Sequence, residues 1–152
     1  MAAHRSAVEA VAGERIYLGL VTLAPFDPER AFPLRLIETD RPMHAAMEGD
    51  ELVGWADITP VGVPGSVHRG VLGMGLLASH RGAGTGRRLP EACLANAPRC
   101  AITKVELTVF TGNTPAIALY RRAGFTDIGI IKDYRRLDGV TYDALMMEQF
   151  LV

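Results

Sequence analysis

The glycine-rich segment at residues 79–88, SHRGAGTGRR, constrains the fold of this chain more than any other feature. It follows an apolar run at residues 69–77 and opens a stretch at residues 84–97, where Leu89 and Cys93 lie four residues apart. The apolar run predicts a buried strand, and the spacing predicts a helix. A tight turn between the two leaves backbone N–H groups unpaired at the positive end of the helix dipole. The segment therefore predicts an α/β fold with a site for an anion such as phosphate.

The charge at the turn agrees with an anion site. Arg81, Arg87 and Arg88 add positive charge where a phosphate would dock, although a structural turn with a solvated basic surface would have the same sequence. The GxxxxGK[ST] string of a Walker loop does not occur, and the dinucleotide pattern GxGxxG would need a glycine in place of Arg87. A dinucleotide-binding module is therefore disfavoured.

The rest of the chain alternates predicted strands with predicted helices, which indicates an α/β sheet of mixed direction. Turn signals at Gly49-Asp50 and Asp138-Gly139 predict two hairpins. Pro90 should kink its helix or end it early, because proline removes a backbone hydrogen bond. The other predicted elements are helices at 3–13, from Asp27 to about Asp40 and at 114–122, strands at 43–48, 51–59, 103–110, 125–135 and 139–150, and an apolar run of ambiguous type at 15–22.

Length and composition exclude several classes of protein. The 152 residues suit a single domain, residues 1–152, and the net charge of −1 argues against a dedicated nucleic-acid binder. The chain start lacks the apolar run of a signal peptide, and no stretch approaches the ~18 apolar residues that span a bilayer. Cys93 and Cys100 fit no CxxC pair or zinc knuckle, and the histidines show no ligand spacing. We therefore expect a cytoplasmic protein with no metal, no membrane contact and no nucleic-acid partner.

A second motif lies at residues 113–125, which read NTPAIALYRRAGF. Together with the upstream Arg81-x-x-Gly84-x-Gly86, it resembles the signatures of the GNAT superfamily of acetyl-CoA-dependent N-acyltransferases, whose second motif is N-x-x-A-I-x-L-Y-x-x-x-G-F. The resemblance runs from about residue 42 to the end of the chain. It implies the GNAT fold, with a mixed, mostly antiparallel central sheet flanked by helices and with strands that splay apart at the acetyl-CoA site.

The resemblance also implies which residues hold acetyl-CoA. The backbone of the strand at 69–77 would pair with the pantetheine amides, and the glycine-rich turn would bind the pyrophosphate. Gly73 and Gly75 share one face of that strand, and the alternative is that they only permit close packing. Asn113 either contacts the cofactor or caps its helix. The implied cofactor-binding residues are Met74, Gly75, Leu76, Arg81, Gly82, Ala83, Gly84, Thr85, Gly86, Arg87, Asn113, Ala116 and Tyr120.

Acyl transfer to an amine needs a neutral nucleophile, a donor for the oxyanion and a proton for the departing thiolate. The resemblance implies Tyr120 as the general acid, since a tyrosine with an ordinary pKa of about 10 is protonated at pH 7, and a backbone N–H near Leu76 as the oxyanion donor. Some relatives carry a glutamate base where this chain has Thr108. We assign the base to Glu106, two residues earlier on the same strand face. The alternatives are Asp57, His68 and a water chain.

The implied function is transfer of an acetyl group from acetyl-CoA to a primary amine, on a small molecule or a protein, by direct attack in a ternary complex. Neither cysteine lies at a catalytic position of the motifs, so no acyl-enzyme is expected. A non-catalytic acyl-CoA-binding or regulatory domain, and an acyltransferase that uses another acyl-CoA, stay open. A homodimer is a further expectation, because small GNAT enzymes are often dimers.

Overall fold

The computed structural model describes residues 6, 7, 9–11, 14 and 40–151. The described residues before Val11 are helical, as predicted, whereas the run at 15–22 and the helix predicted from Asp27 fall outside the described residues. From residue 43 onward every predicted element is confirmed, with ends that shift by at most two residues. The elements are β1 (Met43–Glu48), β2 (Glu51–Pro60), β3 (Arg69–Leu76), α1 (Thr85–Asn96), β4 (Lys104–Phe110), α2 (Thr114–Arg122), β5 (Thr126–Leu137) and β6 (Val140–Phe150).

The described strands form one six-stranded sheet in the order β1-β2-β3-β4-β6-β5. Only β3 and β4 are parallel, and α1 makes the crossover between them, as a parallel pair requires. The other neighbouring pairs are antiparallel. The predicted mixed, mostly antiparallel sheet is therefore confirmed.

Left-handed backbone conformations close both predicted hairpins. Asp138 and Gly139 have φ angles of 52° and 79°, as a type I′ turn requires, and Gly49 has a φ of 59°. Gly124, with a φ of 101°, follows the end of α2. Local turn chemistry therefore sets the points at which the chain reverses.

The predicted early end of the helix at Pro90 is wrong, because α1 continues past the proline to Asn96. The Pro90 side chain is fully buried, and so is that of Cys93, on the same helix. Proline gives no hydrogen bond to the carbonyl of Gly86, one turn earlier. Burial of the apolar face offsets that loss, since tertiary packing supplies most of the stability of a helix in a folded protein.

The sheet buries side chains on both faces. The larger core lies under α1 and α2 and includes Ala56 and Ile58 of β2. Because successive side chains of a strand alternate between faces, Trp55 and Asp57 point away from that core. Trp55 belongs to a smaller cluster on the opposite face, whose other buried members are Ala7, Val11 and Leu52.

The indole of Trp55 packs directly on Gly75, its pairing partner on β3. A Cβ at Gly75 would lie 2.1 Å from Cη2 of Trp55, far inside normal contact distance. The packing alternative for this glycine is therefore supported: its missing side chain lets the smaller core close over β3.

Gly75→Ala should lower the free energy of unfolding by about 1–3 kcal/mol, the usual effect of forcing extra atoms into a packed core. Urea denaturation measures the change. The matched control is Gly129→Ala, because Gly129 also lies in a strand but has open space around its Cβ position. Equal effects of the two substitutions would contradict the packing role.

Candidate active site

β3 and β4 stop pairing after three residues, and a cavity opens where they diverge. Their ladder joins Arg69–Val71 to Lys104–Glu106. Beyond it, the two strands and the first turns of α1 and α2 enclose a cavity of about 620 Å³. The splayed strands that the resemblance implied are therefore confirmed. The wall residues from the two strands are Leu72, Gly73, Met74, Gly75, Leu76, Thr108 and Val109.

The cavity passes between the strands from one face of the sheet to the other. Leu72 and Val109 belong to the core under the helices, whereas Gly73 and Thr108 lie on the opposite face by strand alternation. Val11 of the N-terminal helix also lines the cavity. A substrate held between the strands is therefore within reach of groups on both faces.

The inner edge of β3 presents unpaired peptide groups to the cavity. The N–H of Leu77 donates to the carbonyl of Val53, and the N–H of Val61 donates to the carbonyl of Arg69, both at 2.9 Å. Because bonded positions alternate along an antiparallel ladder, the odd-numbered residues of β3 bond to β2. The even-numbered residues Leu72, Met74 and Leu76 consequently turn their peptide groups towards β4. The Leu72 N–H still bonds to β4 at the last pair of the ladder, Val71 with Glu106, so the open groups begin at the Leu72 carbonyl.

This alternation changes the expectation for two residues. The N–H and C=O groups of Gly75 point towards β2 and are not open to the cavity. Gly75 still lines the cavity, because it has no side chain that would fill the space beside it. Leu72 was not among the predicted residues, yet it has the same orientation as Met74 and Leu76. The period of two along the strand could have identified it.

The glycine-rich turn closes one end of the cavity. Gly82 and Gly84 have φ angles of 82° and 87°, and Gly84 is the N-cap of α1. No side chain caps this end of the helix, and its first turn contains no acidic residue. The first N–H groups of α1 are therefore open to an anion. Arg81, Gly82, Gly84, Gly86 and Arg87 line the cavity, whereas the predicted Ala83 and Thr85 lie in the same turn outside its lining.

Arg81 links the end of β3 to the N-terminal part of the chain through hydrogen bonds. Its Nε and Nη2 donate to the carbonyl of Leu76 at 3.0 and 2.9 Å. Its Nη1 and Nη2 also donate to the carboxylate of Glu14 at 2.9 and 2.8 Å. The prediction that the charge of Arg81 binds a phosphate is therefore less well supported, because the carboxylate of Glu14 offsets that charge. Of the Leu76 peptide groups that face the gap, the N–H is the one left for a ligand.

Asn113 has one of the two roles that the sequence left open, the helix cap. Its Oδ1 accepts a hydrogen bond from the N–H of Ala116 at 3.3 Å, which caps α2. Asn113 and Ala116 also line the cavity. The cap therefore fixes the start of α2 at the cavity wall.

Tyr120 reaches the cavity from the next turn of α2. Its ring packs edge-on against Phe125, with centroids 5.9 Å apart. Burial raises the pKa of the phenol to about 12. Tyr120 is therefore fully protonated at neutral pH and is poised to donate a proton rather than accept one.

Glu106 does not line the cavity, so its assignment as the base is not supported by the geometry. Its carboxylate accepts from Arg69 at 2.6 Å and from Lys104 at 3.1 Å. These hydrogen bonds, that of Arg69 first, hold the pKa of Glu106 below its usual range despite burial. Glu106 fastens the paired ends of β3 and β4, and Thr108 occupies the position at the gap.

Comparison with known proteins agrees with this architecture. The model of the acetyltransferase (GNAT) family matches residues 14–125. This chain belongs to the GNAT family.

Individual relatives of this GNAT protein include the N-alpha-acetyltransferase RimI of Mycobacterium tuberculosis, with 34% identity over 80% of this chain and 74% of the relative. The mycothiol acetyltransferase of Geodermatophilus obscurus is 36% identical over 60% of this chain, but the match spans only 30% of that longer protein. The fold is also that of yncA from Salmonella typhimurium, a candidate acetyltransferase solved with its cofactor acetyl-CoA. The TM-score is 0.90 at 18% identity, with 99% of this chain and 88% of that chain covered.

The other predicted alternatives for the base differ in position. His68 is exposed on the loop before β3 and does not line the cavity. Asp57 is buried beside Gly73. Among the described residues of this GNAT protein, no group of His, Cys, Asp or Glu side chains is arranged to hold a metal ion. No helix in that part of the chain is long and apolar enough to cross a bilayer.

Glu106→Gln should lower the free energy of unfolding at pH 7 by about 1–3 kcal/mol, because it removes the anion that accepts from two cations. The folded-state pKa of Glu106 lies below its ordinary value of 4.5. Its ionisation therefore stabilises the fold above about pH 4.5, and this contribution is lost as the pH falls through the lower folded-state pKa.

Urea denaturation at pH 7 and at pH 3 tests this linkage: the difference between wild type and variant should shrink at the lower pH. Asp127→Asn is the control, because the Asp127–Arg121 pair is exposed and should matter little. A difference that stays constant with pH would contradict the electrostatic origin.

Proposed function

We propose that this GNAT protein transfers an acetyl group from acetyl-CoA to a primary amine by direct attack within a ternary complex, with Tyr120 as the general acid. The gap between β3 and β4 carries the proposal. It combines an unpaired strand edge, an open helix N-terminus and a protonated phenol in one cavity of about 620 Å³. The names of RimI and of the mycothiol enzyme, and the acetyl-CoA of the Salmonella neighbour, support the same activity.

The cavity residues fit the chemistry of acetyl-CoA. The carbonyl of Leu72, the peptide groups of Met74 and the N–H of Leu76 suit a chain of alternating amide donors and acceptors such as pantetheine. The N–H groups at the start of α1 suit a pyrophosphate. Arg87 lies beside them and also pairs with Glu91 at 2.7 Å. Acetyl-CoA supplies an activated thioester carbonyl carbon to the gap.

Tyr120 would complete the transfer by protonating the departing sulfur. A phenol with a pKa near 12 keeps its proton until a thiolate forms beside it. The N–H of Leu76 is the candidate donor for the oxyanion, because the Leu76 carbonyl is already bound to Arg81. The amine would enter from the opposite face of the sheet, past Gly73 and Thr108.

Acetyl-CoA binding is the first expectation to test. At 100 times its dissociation constant, the ligand should add about 2.7 kcal/mol of stability, seen as a rise in melting temperature. Gly84→Glu should abolish the rise, because it places a carboxylate at the anion site. Gly65→Glu is the matched control: Gly65 has nearly the same φ of 82° but lies in an exposed loop away from the cavity. A rise that survives Gly84→Glu would contradict the proposed pyrophosphate site.

Tyr120→Phe should lower kcat by about 10²–10⁴-fold, the usual contribution of a general acid, and leave the affinity for acetyl-CoA unchanged. Release of the CoA thiol measures the rate with three amines: a lysine-free peptide with a free α-amino group, Nα-acetyl-lysine and spermidine. Tyr142→Phe is the control, because Tyr142 packs against Phe110 and does not line the cavity.

Two outcomes would count against the proposal. Full activity of Tyr120→Phe would remove Tyr120 as the acid. Tight binding of acetyl-CoA by the wild type, without turnover of any of the three amines, would favour the non-catalytic binding domain instead.

A further inference from the structure

Asp57 is a buried carboxylate without an ion pair in the described part of the chain. It lies in β2 and is only 6% exposed. Its hydrogen bond there comes from the hydroxyl of Thr59, which donates to Oδ2 at 3.3 Å. Burial of a carboxylate with so little compensation destabilises a fold. None of the described contacts gives Asp57 a structural role that would offset this loss.

The carboxylate lies against a part of β3 that has no side chain to screen it. Asp57 pairs with Gly73, and a Cβ added at Gly73 would lie 3.4 Å from Oδ1 of Asp57. Gly73 lines the cavity, and so does Thr108 across the gap. Asp57 itself does not line the cavity. Unlike Glu106, however, it is separated from the cavity by only the space that a side chain at residue 73 would fill.

We propose that Asp57 is the general base of this enzyme and receives the proton of the acceptor amine through the opening at Gly73. This inference rests on the proposed acetyl transfer and fills the role for which Glu106 is unsuited. It places acid and base on opposite faces of the sheet: Tyr120 belongs to the α2 side, and Asp57 points to the other side. The thioester would lie between them.

The step balances in bonds and protons. An acceptor that binds as an ammonium gives one proton to Asp57, which later releases it to solvent. The neutral nitrogen attacks the thioester carbonyl carbon, the C–S bond breaks, and the sulfur takes the proton of Tyr120. The second proton of the nitrogen returns to the Tyr120 oxygen through water. The products are an amide, the CoA thiol and one solvent proton.

In the part of the chain that the structure describes, the groups around Asp57 do not compete with it for a proton. On β3, the residues on its face are Arg69, Val71, Gly73 and Gly75, of which only Arg69 is charged, and Arg69 is bound to Glu106 at 2.6 Å. On β1 its pairing partner is Met43. The neighbouring His44 is turned to the other face, where its Nε2 lies 2.9 Å from Asn96.

Two further titratable groups face this region from elements packed nearby. Cys93 of α1 lies behind β2, and burial, with the Asp57 charge second, raises its pKa to about 12, so it stays neutral. Glu106 of β4 is held by Arg69 and Lys104 and stays ionised. Neither group competes with Asp57 for a proton near neutral pH.

The basicity of Asp57 favours one class of acceptor. Burial raises its pKa to about 6, against the opposing effect of the Thr59 hydrogen bond. An α-ammonium has a pKa near 8 and a lysine ammonium one near 10.4. Proton transfer to Asp57 is therefore less unfavourable from an α-ammonium than from a lysine ammonium, so a peptide α-amine is the acceptor used in the test.

Asp57→Asn, with kcat measured from pH 5 to 9 on the lysine-free peptide, tests the proposal. Wild-type kcat should fall as the pH drops through about 6, because Asp57 becomes protonated. At pH 7 the kcat of the variant should be at least about 10²-fold lower. The fall of kcat near pH 6, the acid limb of the profile, should be absent from the variant. Its kcat should recover in part at high pH, where solvent deprotonates the amine. Its affinity for acetyl-CoA should match the wild type. Asp127→Asn, which alters an exposed carboxylate, should behave as wild type.

Thr59→Val provides a second test that does not depend on the folding of Asp57→Asn. It removes the hydrogen bond that favours the ionised form, so the acid limb of kcat should move to higher pH. An unmoved limb would overturn the proposal, and so would wild-type kcat in Asp57→Asn, or a raised KM for the peptide with unchanged kcat.

The same measurements separate this inference from the proposed function. A wild type that turns over none of the three amines defeats both. A wild type that is active while Asp57→Asn is unaffected defeats only the role of Asp57.

Discussion

The early end of the ladder between β3 and β4 is the constraint on which the candidate site depends. The two strands share three residue pairs and then separate, while β3 stays bound to β2 and β4 to β6. Ion pairs of Glu106 with Arg69 and Lys104 secure the joined ends. At the other end, Arg81 holds the carbonyl of Leu76. The gap is thus held by contacts at both of its ends, which suits a site that must position a thioester before reaction.

Because the gap is open to both faces of the sheet, two chemical environments meet in it. The helix side is apolar and raises the pKa of Tyr120, so a phenol proton is available there. The opposite side holds Asp57, whose pKa is raised towards neutrality by burial. Desolvation raises the pKa of both groups. It keeps the phenol of Tyr120 protonated, and it makes the carboxylate of Asp57 more basic. Desolvation alone can therefore prepare both the acid and the base of an acyl transfer.

Much of the fold could be predicted from local signals. Turn pairs such as Asp138-Gly139 require left-handed backbone, and periodicity distinguishes strands from helices, so the elements after residue 43 agree closely with expectation. The roles of Glu106 and Arg81 could not be predicted, because their partners Arg69 and Glu14 lie 37 and 67 residues away in the chain. Pro90 was misjudged for the same reason: the packing that retains it in α1 comes from strands distant in sequence.

The unpaired inner edge of β3 also raises the question of how the fold avoids pairing with other chains. A row of open N–H and C=O groups on a strand is a template for another strand, and proteins usually protect such edges. Here the edge lies inside a wedge between two strands of the same sheet, bounded by Arg69–Val71 at its closed end. Because β4 flanks the gap on its other side, another chain reaches this edge only through the cavity of about 620 Å³ between the two strands. The unpaired edge therefore lies inside the sheet, where β4 flanks it, and not at an outer border of the sheet.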